Sequence, residues 1–172
     1  MSTNSVFHFC IQHLLKSESR LYPPVQKMLI NKPTTELPVV FTAQSKLHFY
    51  CRDAICEFVF KHGAVPVNPF RLYEYFLGDR VDRDLIRQAN NNLIRKCDEL
   101  WVFGETIADG VLFEILYAKK LKMPVKYYSV YSRADLIKEV SVNELKFEEE
   151  VYASTGLRQK ELIEQISDQS TH

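Results

Sequence analysis

Between residues 37 and 130, four short apolar runs alternate with stretches of helical periodicity, and this alternation limits the possible folds more than any other feature of the chain. Pro38-Val39-Val40-Phe41-Thr42-Ala43, Ala64-Val65-Pro66-Val67-Asn68-Pro69, Glu99 to Phe103 and Pro124 to Val130 are rich in β-branched and aromatic residues. They are too short for helices and are bounded by turn residues, so they read as buried strands. Lys46 to His62 carries Leu47, Cys51, Ala54, Ile55, Phe58 and Val59 at three- and four-residue spacing, with Ser45 as N-cap and Gly63 as the stop. A second helix runs from Asp79 or Asp82 to about Lys96, burying Leu85, Ile86, Ala89, Leu93 and Ile94, and a third from Gly110 to about Lys122. Strands and helices in this order imply βαβ units and a mainly parallel sheet of the α/β class. Pro66 cannot donate to a ladder, which assigns its strand to an edge.

The flanks differ in character. Residues 1–36 read as a helical extension, with Pro23-Pro24 opening a second short helix and Pro33 and Pro38 punctuating the approach to the first strand. Residues 131–172 form an acidic stretch of helical pattern that includes Glu148-Glu149-Glu150, expected as a packed or partner-facing tail. Lys plus Arg and Asp plus Glu both number 22, so no bulk basic field favours a nucleic acid polymer or an anionic membrane. No apolar run approaches the ~20 residues that span a bilayer. Cys10, Cys51, Cys56 and Cys97 match no metal-binding or Cys-x-x-Cys spacing. With no signal peptide before them, they are expected to be reduced thiols in a cytoplasmic protein.

Chemistry is concentrated in residues 97–118. The strand ending at Phe103 leads through Gly104-Glu105-Thr106-Ile107-Ala108 to a helix that starts at Asp109-Gly110. Ligands of open α/β sheets bind at the carboxyl ends of strands, where this loop lies. Glu114 falls one turn after Gly110 on the same helix face, so a small substrate can approach its carboxylate over bare backbone. Placement near the helix start favours the ionised form, as a glycosyl-accepting nucleophile requires. Asp109 or Glu105 would then contact the leaving group. Residue pattern alone favours the ordinary alternative, Asp109 as a helix cap and Glu114 as a first-turn acid.

Asp98-Glu99-Leu100-Trp101-Val102-Phe103-Gly104, Ala108-Asp109-Gly110, Glu114, Tyr117-Ala118-Lys119-Lys120, Pro124-Val125 and the earlier Asn68-Pro69 together resemble the nucleoside 2-deoxyribosyltransferase superfamily, which includes deoxynucleoside 5'-monophosphate N-glycosidases. The resemblance covers about Leu37 to Val130. It implies a flavodoxin- or Rossmann-like three-layer α/β sandwich, cleavage or exchange of the N-glycosidic bond of a (deoxy)nucleoside or its 5'-monophosphate, no cofactor, no metal, and a homo-oligomer. By motif position Glu114 would be the nucleophile and Asp109 the acid or base contact, with Glu105 as the alternative loop acid. Asn90 stands where relatives carry an Asp on the preceding helix and would hydrogen-bond substrate. The loop after the first strand, Thr42-Ala43-Gln44-Ser45, lacks the usual glycine, which leaves Gln44, Ser45 and Gly110 as expected substrate contacts. Arg71, after the second strand, is the best-placed cation for a substrate phosphate, with a solvated loop arginine as the equal alternative. The alternative reading is a catalytically inactive module of the same fold that binds a nucleotide or nucleotide sugar as a sensor.

Overall fold

The computed structural model describes residues 36–73 and 80–167. The chain divides into two compact units, Met1–Glu36 and Leu37–His172. The expected N-terminal helices and the last residues of the tail lie outside the described residues, as does Asp79, so the architecture below is that of the second unit.

Its centre is a parallel sheet. Strand β1 (Val39–Gln44) leads into a 3-10 turn (Lys46–Cys51) and helix α1 (Arg52–Lys61), then β2 (Val65–Val67) and the short α2 (Pro69–Leu72). Helix α3 (Arg83–Ile94), β3 (Glu99–Phe103), the two-residue β4 (Thr106–Ile107), α4 (Asp109–Lys120) and β5 (Val125–Tyr128) follow. The order across the main sheet is β2-β1-β3-β5, with every pair parallel. Pro66 does lie in the edge strand, opposite Val40. The single helix expected from Lys46 to His62 is in fact two pieces, because the chain kinks at His48 inside the 3-10 turn.

Side-chain alternation makes the three layers. On β3, Trp101 and Phe103 face α1 and join Phe58 and Tyr128 in an aromatic cluster, while Leu100 and Val102 face α4. The α1 layer also holds Ile55 and Val59 against Val40; the opposite layer is built on Ile94, Val111, Leu112, Ile115 and Ala118. This is an α/β sandwich of the expected class. Of the apolar stripe expected on α3, only Ile94 is buried, and Leu85 is exposed.

The segment after Tyr131, expected as a packed or partner-facing helical tail, is packed, and it carries strand pairing as well as helices. Residues 138–140 turn back beside β5: Val140 N–H donates to Tyr127 O, and Tyr128 bridges Glu139 antiparallel. That covers an otherwise open sheet edge. The chain then forms β6 (Lys146–Phe147), parallel to β4, followed by helices α5 (Glu149–Thr155) and α6 (Gln159–Ile166). Leu145, Phe147, Val151, Leu162 and Ile166 belong to the same buried cluster as α4. At the end of α6 the Tyr127 hydroxyl donates to Ile166 O at 3.0 Å. The C-terminal segment is therefore part of the main core.

Candidate functional site

Sheet order fixes where a site can form. From β1 the chain moves outward to β2, then crosses back over β1 to β3, so the connections leaving β1 and β3 diverge to opposite faces. The crevice between their carboxyl ends is the topological switch point, where open α/β sheets bind ligands. A cavity of about 580 Å³ opens there, with Gln44 and Ser45 from the β1 end, Asn90 from α3 and Asp109, Gly110 and Glu114 from α4 among its lining residues.

The β1 side is cross-linked by hydrogen bonds. Asn68, which caps α2 by accepting from Arg71 N–H, donates through Nδ2 to Thr42 Oγ1 at 2.8 Å and to Gln44 Oε1 at 2.9 Å. Gln44 Nε2 donates to His48 O at 2.9 Å. Gln44 thus lines the cavity with both ends of its amide held by the scaffold. Ser45 Oγ accepts from Leu47 N–H as the cap of the 3-10 turn and donates to Glu148 Oε1 at 3.3 Å.

The α4 side carries the acids. Ala108 is the N-cap, and Asp109 is the first helical residue rather than the cap. Asp109 Oδ1 accepts from Gly110 N–H at 2.6 Å, and Oδ2 takes Arg83 Nη2 at 2.5 Å and Arg87 Nη2 at 3.3 Å. A Cβ at Gly110 would meet nothing within 4 Å, so the surface over that backbone is open as expected. Glu114 lies in the second turn, not the first, and its environment differs from the expectation. Burial pushes its carboxyl up to about 8, and the hydrogen bond from Asn90 lowers it only part of the way back. Desolvation outweighs the helix dipole here, because the dipole's effect fades beyond the first turn. Asn90 Nδ2 donates to Glu114 Oε1 at 2.8 Å, while Asn90 Oδ1 is buried without a protein partner. Arg87 Nε is in the same condition. Two orphaned polar atoms on lining residues mark a place for water or for a polar ligand.

Two of the expected contacts are elsewhere. Arg71 is not in the cavity lining; it pairs with Asp53 at 3.1 Å on the surface. Glu105 is exposed and also outside the lining, and its backbone carbonyl accepts from Lys146 N–H. Among the charged lining residues, the sequence reading missed Arg83, Arg87, Glu148 and Glu150. Arg83, Arg87 and Asn90 recur at helical spacing on one face of α3, a signal that the sequence did contain. The two glutamates come from the C-terminal segment and arrive through the β4–β6 pair, where Glu148 N–H donates to Ile107 O. Four carboxylates, Asp109, Glu114, Glu148 and Glu150, share the cavity with Lys46, Arg83 and Arg87. Among the described residues no group of three or more His, Cys, Asp or Glu side chains could hold a metal ion. Cys51, Cys56 and Cys97 are free, and burial, followed by the Asp98 charge, pushes the Cys97 thiol up to about 11.

Fold and cavity together define an α/β protein with a carboxylate-bearing pocket at the switch point of a four-stranded parallel sheet. A family model described as "Domain of unknown function (DUF7768)" matches residues 41–128, just over half of the chain, and the chain belongs to that family. The match runs from β1 through β5 and takes in Gln44, Ser45, Asn90, Asp109 and Glu114. No curated protein and no solved structure matches the chain. Among the described residues no helix is long and apolar enough to cross a membrane.

Proposed function

We propose that the protein is an N-glycosyl hydrolase or transferase that acts on a (deoxy)nucleoside or its 5'-monophosphate through a covalent glycosyl–Glu114 intermediate. One observation carries this reading: Glu114 lies in the wall of the switch-point cavity with one oxygen held by Asn90. Asn90 orients the carboxylate and leaves Oε2 for the sugar. In the first step Oε2 attacks the anomeric carbon, the C–N bond breaks, and its electron pair leaves with the base, which takes a proton from solvent. Water or a second base then attacks the same carbon and releases Glu114. Asn90 Oδ1, buried and unpartnered, accepts from a substrate N–H or O–H. Asp109 is held by two guanidiniums, so its role is to accept a hydrogen bond from the substrate and not to supply the proton. The resemblance of residues 37–130 to the nucleoside 2-deoxyribosyltransferase superfamily supports the same chemistry. Leu85, Phe113 and Leu116 remain exposed on α3 and α4 and offer apolar surface for a homo-oligomer.

A second reading, a binding module that holds a nucleotide without cleaving it, is favoured by the raised Glu114 pKa, which keeps most of the carboxyl protonated near neutral pH. One experiment separates the two. The native protein is incubated with the common deoxynucleosides and their 5'-monophosphates, and free base is measured by chromatography. Release that falls roughly a hundredfold or more in Glu114→Gln supports catalysis. Full release by Glu114→Gln would falsify the nucleophile assignment, and binding without release across the panel would leave the binding module.

A further inference from the structure

We infer that the pocket selects an uncharged nucleoside over its 5'-monophosphate, and that Glu148 and Glu150 of the C-terminal segment carry that selection. The inference rests on the nucleoside reading above and names the substrate class within it.

An anion entering a switch-point crevice ordinarily finds the first residues of the helix after β1, where backbone N–H groups and a hydroxyl point outward. Here that place is taken. The turn after β1 begins at Ser45, and the Ser45 hydroxyl donates to the Glu148 carboxylate. The Glu148 backbone is held by donation of its N–H to Ile107 O, and its carboxylate takes the Ser45 hydroxyl that a phosphate would use. The loop itself, Thr42-Ala43-Gln44-Ser45, contains no glycine to bring further N–H groups close.

The terminal guanidinium nitrogens of the pocket are likewise engaged by the protein, although Arg87 Nε has no protein partner. Arg83 and Arg87 converge on Asp109, Arg83 Nη1 lies 3.9 Å from Glu150 Oε1, and Arg87 Nη1 lies 3.3 Å from Asp84 Oδ1. Lys46 has an interaction partner of its own. A phosphate dianion would have to displace carboxylates from these guanidiniums and leave them unpaired beside it. A sugar hydroxyl faces no such conflict, since Glu148 can accept its hydrogen and Ser45 can donate to it. Like charge placed against the wrong partner is an established route to discrimination.

The test uses the native full chain with the four common 2'-deoxynucleosides and their 5'-monophosphates, and measures binding by calorimetry and base release by chromatography. The expected result is that the best nucleoside binds at least about tenfold more tightly than its monophosphate, and that raising the salt from low to roughly half molar narrows the gap. In a Glu148→Gln/Glu150→Gln variant of unchanged circular dichroism, the preference should shrink at least about fivefold or reverse. Equal or tighter binding of the monophosphate, or a preference that the variant leaves unchanged, overturns the inference, as does binding of neither ligand. Selective binding of the nucleoside with no base released defeats the glycosidic chemistry and upholds the selection. Release from monophosphates alone defeats the selection and upholds the chemistry.

Discussion

Asn90 and Glu114, one on α3 and the other on α4, meet through a 2.8 Å hydrogen bond in which the amide nitrogen donates and the carboxylate accepts. An acid in this position would compete with Glu114 for a proton. An amide does not titrate, so it orients Glu114 and lowers its pKa only part of the way against the larger effect of burial.

The first consequence is kinetic. Nucleophilic attack needs ionised Glu114, and burial pushes its carboxyl up to about 8. kcat/KM for base release is expected to climb about tenfold per pH unit below that value and to level off above it. Initial rates between pH 5.5 and 9.5 check this. A profile that falls with rising pH would show Glu114 acting as a proton donor instead.

The second is thermodynamic. An ordinary Glu titrates near ~4.3 in an unfolded chain, well below the folded value. Between these limits the folded protein binds more protons, so stability is highest below pH ~4 with respect to this group, declines as pH rises towards 8, and is constant above. Glu114→Gln removes that slope. At pH 9 the variant is expected to be more stable than the native protein by roughly 1–3 kcal/mol, less than the full linkage because the pocket admits water. Urea unfolding at pH 5, 7 and 9 measures it, and a variant no more stable at pH 9 would contradict the assignment.

The third separates two glycines. Gly104 has φ +116, and a Cβ there would lie 3.3 Å from His48 Cδ2, whereas Gly110 has open space around it. Gly104→Ala is expected to cost about 1–3 kcal/mol of stability, because it strains the backbone and presses on the kinked turn after β1. Gly110→Ala is expected to leave the free energy of urea unfolding within about 0.5 kcal/mol of the native value while narrowing the approach to Glu114. Similar losses for both would mean that the backbone at Gly104 relaxes at no cost.

The sequence disclosed the parts of the molecule that follow a period. The four strands of the main sheet, helices α3 and α4 and the edge position of Pro66 were readable, because apolar alternation and turn residues are local signals, whereas the 3-10 turn before α1 and the short α2 were not. Glu114, Asp109, Asn90, Gly110, Gln44 and Ser45 were all brought to one cavity, since each lies beside the carboxyl end of a strand or on a helix facing it. The apolar stripe assigned to α3 failed at Leu85, where helix spacing was present but no partner covers that face among the described residues. Arg71 was misassigned because nearness to a strand end along the chain does not fix direction, and Asp53 draws it outward. Glu148 could not have been found by pattern. A two-residue strand has no period to detect, and its pairing with β4 is set by three-dimensional packing.

That β4–β6 pair also sets the order in which the pocket can come into being. Nearly all of its wall is encoded between Thr42 and Glu114, yet Glu148 and Glu150 reach it only when the chain beyond Lys146 has paired with Thr106 and Ile107. Leu162 and Ile166 then bury that segment in the core. During synthesis the sheet and Glu114 therefore emerge from the ribosome well before Glu148 and Glu150. A chain stopped short of residue 146 would lack Glu148 and Glu150 and also the Phe147, Val151, Leu162 and Ile166 side chains that pack against α4.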